Sequence, residues 1–178
     1  MSGQHPFIAG AFLVVVFSSA GLVGEAGLRR GREQARAARL EELDGRVLEA
    51  IKLGRTGQFA KARDILLEVV AEAPASSNAH FNLAVAHLGL GDKEHAKISL
   101  ERARALDPMD WDAAVELAAL ELEQGNEDRA LSLLESVPLG EGGMAQGTLL
   151  QSRWKPLREN QRTKTLFEKH LVQLPEDE

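Results

Sequence analysis

The chain contains no cysteine and no tyrosine, and its aromatic residues are six Phe and two Trp among 178 positions. Without cysteine it forms no disulfide, no thiolate metal centre and no cysteine nucleophile. So few aromatics suit helices packed through Ala and Leu. Basic charge is also short: 21 Lys and Arg stand against 27 Asp and Glu, a net charge of −6. That balance argues against nucleic acid as a partner. Catalytic signatures are missing as well. There is no HExxH, no Gly-rich phosphate loop ending in Lys-Ser/Thr, and no GxSxG, so neither catalysis nor a cofactor is expected. His80 and His87 are seven residues apart on one expected helix, about 10 Å along its axis, too far to share an ion. His95 sits beside Glu94 in no motif. No metal site is expected.

What the chain does have is a period. Gly57, Gly91 and Gly125 are 34 residues apart (91 − 57 = 34; 125 − 91 = 34), as are Ala62, Ala96 and Ala130, and Leu66, Leu100 and Leu134; Pro74 and Pro108 keep the same step. Each half-period is long enough for three to four helical turns, and its apolar residues recur at helical spacing. Phe81, Ala84, Val85 and Leu88 form one such face. Gly89 and Gly91 are placed to end that helix, and Asp92 to cap the next. The small Ala lets paired helices approach closely. Pro74 and Pro108 bar continuation and open the next unit. The period predicts an all-α solenoid of helix–turn–helix units.

The run over 77–110, SNAHFNLAVAHLGLGDKEHAKISLERARALDPMD, resembles a tetratricopeptide repeat. It carries Leu83-Ala84, Gly91 at the turn, Ala96 on the second helix, then Ala103 and Asp107-Pro108. Residues 111–138 match through Leu117-Ala118, Gly125, Ala130 and Val137. Residues 44–76 match through Gly57, Phe59, Ala62 and Pro74, with Glu49 where the family has a core Leu. The resemblance implies about three units (44–76, 77–110, 111–138) in a right-handed superhelix. It also implies a concave surface built from the first helix of each unit. By that likeness the groove candidates are Val47, Ile51, Asn78, Phe81, Val85, Leu88, Asp112, Val115, Ala119 and Leu122. Members that clamp a C-terminal carboxylate line this surface with Lys and Arg. Here Arg55 is the one basic residue nearby, so that mode is not expected.

Two flanking regions complete the reading. After a short tail, 1–6, residues 7–24 form an uncharged run of 18, FIAGAFLVVVFSSAGLVG. That length is near the lower limit for crossing a bilayer. A cleavable signal peptide is the competing reading, since Ser18-Ser19-Ala20 is a small-x-small pattern, but no Lys or Arg precedes the run. The sequence therefore predicts a transmembrane anchor, followed by an Arg-rich juxtamembrane helix over 25–43. Arg29, Arg30, Arg32, Arg36 and Arg39 follow the run. By the positive-inside rule they would set its topology, with the repeats cytoplasmic; a periplasmic placement is the alternative. At the other end, 139–147 holds four Gly in nine residues and reads as a flexible loop. Residues 148–178 read as a C-terminal capping helix and tail, or as a basic segment reaching the third unit. From 101 to 141 eleven Asp or Glu face three Arg, a net of −8; from 153 to 169 six Lys or Arg face two Glu, a net of +4.

Together these features predict a membrane-anchored, non-catalytic module that binds another protein, as an accessory or scaffold subunit of a membrane complex. The alternative is an assembly factor or chaperone-like client receptor. The apolar groove, with Asp112, Glu116 and Glu123 at one end, fits a helical or extended segment bearing apolar and basic residues.

Overall fold

The computed structural model describes residues 13–137 and 159–169, with side chains over 27–137 and 159–166. Every regular element among the described residues is a helix. In chain order they are α1 (Leu13–Arg55), α2 (Phe59–Glu72), α3 (Ser77–Gly89), α4 (Lys93–Leu106), α5 (Trp111–Glu123), α6 (Glu127–Glu135) and α7 (Gln161–Lys169). The chain divides into two compact units, 1–44 and 45–178, and the division falls inside α1.

The first unit corrects the expectation of an anchor. Residues 7–12 lie outside the described ones. From Leu13 the described part of the apolar run belongs to α1, which passes without a break into the arginines. Among the described residues no helix is long and apolar enough to cross a membrane. The single-pass reading is withdrawn, and with it the topology role of Arg29, Arg30, Arg32, Arg36 and Arg39. These arginines are exposed along α1, where Arg39 pairs with Glu42 at 2.5 Å.

In the second unit the helices pack in sequence: α2 on α3, α3 on α4, α4 on α5, α5 on α6. The period is visible as three copies of one turn. Gly57, Gly91 and Gly125 all have positive φ, +76°, +75° and +81°. In each copy the residue after the Gly returns its N–H to a carbonyl five residues back, as in Gln58 to Leu53 (2.9 Å), Asp92 to His87 (2.9 Å) and Asn126 to Glu121 (2.8 Å). The Gly itself donates to the carbonyl three back. This is the Schellman closure, which satisfies the last carbonyls of a helix and needs a left-handed residue. Pro74 and Pro108 follow the ends of α2 and α4, and Ser76 and Asp110 then cap α3 and α5, accepting from Ala79 N (3.2 Å) and Ala113 N (3.0 Å).

The repeating small and large apolar residues are the core. Ala62, Ala96 and Ala130 are buried, as are Leu66, Leu100 and Leu134. Ala96, Leu100 and Ala103 of α4 pack with Ala84 of α3 and with Ala113, Leu117 and Leu120 of α5, which is how one unit adheres to the next. Glu49 occupies the register of Leu83 and Leu117, both buried. It is exposed, and no second helix precedes its unit among the described residues.

Helix α7 begins 34 residues after α6 (161 − 127 = 34), so it keeps the register of a second helix. Asn160 caps it through Thr163 N (3.2 Å), and Asn126 precedes α6 at the equivalent position. The Gly and Ala landmarks are replaced there by Glu159 and Lys164, which hides the register from sequence. α7 packs on α6 through Leu166 against the Ala130–Leu134 cluster, Arg162 to Asp128 (2.7 Å) and Asn160 to Glu127 (2.9 Å). The expected loop at 139–147 and the rest of 148–178 lie outside the described residues.

Candidate functional site

Two neighbouring cavities open along the first helices of the units. One, of about 380 Å³, lies over the end of α1 and over α2 and α3, with Ile51, Arg55, Phe59, Phe81, Asn82 and Val85 in its walls. The other, of about 320 Å³, lies over α3 and α5, with Phe59, Val85, Leu88, Glu116, Ala119 and Glu123. Phe59 and Val85 belong to both, so the cavities adjoin as one groove. Its walls follow the 34-residue register: Ile51, Val85 and Ala119 are equivalent, and so are Arg55, Gly89 and Glu123. One face of each first helix recurs at helical spacing, and the superposed turns line those faces up.

Five of the ten groove candidates stand in these walls: Ile51, Phe81, Val85, Leu88 and Ala119. Val47 and Val115 are instead buried, 1% and 0% exposed, and pack between helices. Leu122 packs partly buried against the Val115 cluster. Asn78 and Asp112 are exposed in the first turns of α3 and α5, outside both cavities; Asn78 accepts from Asn82 Nδ2 at 2.7 Å.

Sequence reasoning missed Phe59 as a wall residue. It begins a second helix, but its ring reaches across to the end of α3. A Cβ on Gly89 would stand 2.3 Å from that ring. Gly89 is therefore not a turn residue. It is the space Phe59 occupies, and its equivalents Arg55 and Glu123 carry side chains. The signal lay in the break of register at 89.

Charge in the groove is uneven. Glu116 is 3% exposed in the second cavity, and Glu123 there pairs with Lys93 at 2.5 Å. Arg55 stands at the far end, in the first cavity.

The turns carry their own polar chemistry. In the third unit Glu121, fully buried, is 2.9 Å from Lys97 Nζ and 3.1 Å from Arg129 Nε, and its Oε2 accepts from Asn126 Nδ2 at 2.7 Å. Burial alone would raise its pKa. The bonds from Lys97 and Asn126, with the Arg129 charge, outweigh burial and hold it below the ordinary Glu value. In the second unit the same three positions are His87, Asp92 and His95, which the structure brings together although the sequence suggested no cluster. Burial also lowers the His87 pKa, against the opposing charge of Asp92.

Residues 77–110 match the family model described as tetratricopeptide repeat. No curated protein is similar in sequence. Among solved structures, the Yersinia enterocolitica type III secretion translocator chaperone SycD in complex with a peptide of the translocator YopD is similar at 16% identity and a TM-score of 0.53. The match covers 74% of this chain and 94% of that one. An alternative dimer of SycD matches at 18% identity and a TM-score of 0.52, over 73% and 92%. A double mutant of MamA from Desulfovibrio magneticus RS-1 matches at 22% identity and 0.51, over 53% of each chain, so this chain spans about half of that protein's length. The chain thus carries a tetratricopeptide repeat at 77–110, inside an all-helical fold of the same kind as these proteins.

Proposed function

We propose that this protein is a non-catalytic binding module whose groove holds a segment of another protein, in the manner of a chaperone or assembly receptor. The observation that carries this reading is the pair of adjoining cavities, apolar on their walls and set over successive first helices. Their volumes are of the size that accepts one side chain or short ligand each. Spaced along α1, α3 and α5, they suit anchors on an extended or helical segment. With Lys93 on Glu123, the α5 end still carries a net negative charge from Glu116 and Glu123, which favours a basic residue there.

A client receptor is preferred over a permanent subunit because, among the described residues, α7 packs on α6 and no C-terminal residue lines either cavity. The SycD structure, with its bound translocator peptide, lends support by analogy of fold.

The test is selection from a displayed peptide library against the full chain and against Val85→Glu. Val85 is only half-buried and borders both cavities. The expected outcome is enrichment of peptides with spaced apolar residues and a Lys or Arg, and loss of that enrichment in the variant while its helical signal is kept. Enrichment that survives Val85→Glu in a folded protein would overturn the groove assignment.

A further inference from the structure

We propose that His87, Asp92 and His95 form a binding site for a divalent transition-metal ion, zinc being the natural occupant, at the turn between α3 and α4. Among the described residues these are three ligand-bearing side chains whose donor atoms all lie within 4.8 Å of one another. Asp92 Oδ2 is 3.3 Å from His87 Nδ1 and 2.9 Å from His95 Nδ1. An ion held at about 2.1 Å from each ligand sets ligand–ligand edges of about 3.4 Å if tetrahedral and about 3.0 Å if octahedral. The two separations from Asp92 lie close to those edges, and the two His nitrogens, within 4.8 Å, have only a short way to close.

A second, independent observation is the state of His87. It is 7% exposed, and its Nδ1 makes no hydrogen bond of proper geometry, although it faces Asp92. A buried nitrogen held only by a long, poorly aligned contact costs free energy, and a metal ion would satisfy it. The site is also built in advance. Asp92 N donates to His87 O at 2.9 Å, and Asp92 Oδ1 caps α4 through His95 N at 3.2 Å. The backbone therefore fixes two ligands, and only the exposed His95 ring has to turn. Its ring now stacks on His87, with centroids 5.2 Å apart. Arg63 of α2, whose charge acts on His87, is paired with Asp64 at 2.6 Å. Three protein ligands leave one or more positions to water or to a donor from a partner.

The chemistry of this turn differs from its equivalents. The third turn places Glu121, Asn126 and Arg129 at the same positions, where the cation answers the carboxylate. The first places Leu53, Gln58 and Lys61, with Lys61 bonded to Gln58 at 2.9 Å. Only the second sets a carboxylate between two imidazoles.

The experiment is calorimetric titration of ZnCl₂ into the tag-free full chain, with Co²⁺ absorption as a second readout. The expected result is one ion per chain. Asp92→Asn keeps the helix cap and removes the charge, and His95→Ala removes an exposed ligand; each should weaken binding at least tenfold. His80→Gln, outside the cluster, should bind as the parent does. Circular dichroism verifies that each variant is folded. Absence of a one-equivalent site, or equal affinity in His95→Ala, would overturn the proposal.

Discussion

The second and third turns share a backbone and differ in chemistry. Gly91 and Gly125 adopt the same left-handed conformation, and the same two backbone hydrogen bonds close each helix end. Yet one turn gathers His87, Asp92 and His95, and the other Glu121, Asn126 and Arg129. The period conserves what the chain path demands: a residue tolerant of positive φ, a small residue for close packing, a large one for the core. It leaves the three positions that converge at each turn free to vary. A repeat therefore supplies a fixed geometry in which different polar groups can be installed, and function resides in the installed groups.

The two units are expected to agree most in their cores, where the largest effects lie. Leu100→Ala and Leu134→Ala delete the same side chain from equivalent, fully buried sites. Each should cost about 3 kcal/mol in chemical denaturation. A cost for Leu134 below half of that for Leu100 would break the equivalence of the units.

They should then part at the buried carboxylate. Glu121→Gln leaves Lys97 and Arg129 without their counter-charge and should cost about 2 kcal/mol. Its pKa is depressed in the folded state, so its contribution is present above the unfolded Glu value, about 4.3. That contribution is lost as pH falls through the lower folded value. Below about pH 4.3 the parent should therefore lose stability more steeply than the variant. Parallel acid limbs would mean that the ion pair contributes nothing.

At the glycines the two turns should agree again. Nothing stands within 4 Å of a Cβ added to Gly91 or Gly125, so alanine meets only the backbone penalty of positive φ. Each substitution should cost about 1 kcal/mol. Gly89→Ala sharpens the contrast, because its penalty is steric: the Phe59 ring must move out of the groove. Reduced peptide capture is expected alongside the stability loss, and unaltered capture would count against Phe59 as a wall.

The last contrast comes from exchanging the sets, and its readout is stoichiometry. Transplanting the histidine set as Glu121→His, Asn126→Asp and Arg129→His into the parent should raise zinc stoichiometry from one to two. A stoichiometry that stays at one would show that the turn backbone alone does not build the site.

Much of this architecture was legible before the structure. Gly57, Gly91 and Gly125 announced the turns because few other residues accept that backbone, and Ala96 and Leu100 announced the core because close packing admits little else. The groove was legible in part. Ile51, Phe81, Val85, Leu88 and Ala119 follow from register, whereas Val47 and Val115 turn inward by one helical step. Phe59 and Gly89 meet across two helices, a contact without local spacing. The metal ligands are five and three residues apart across a turn, a spacing with no helical or motif signature. The anchor was misread because a count of uncharged residues does not reveal that residues 13–24 share one continuous helix with the arginines. The register of α7 was hidden because Glu159 and Lys164 replaced its landmarks.

The central claim is that the groove over the first helices, and not the outer face of the second, holds the partner. A photo-crosslinking residue placed at Val85, in the groove, and in a separate protein at Ile98, exposed on α4, tests it directly with a peptide enriched from the library. The account predicts a covalent adduct from position 85 and none from 98. An adduct from 98 alone would contradict it.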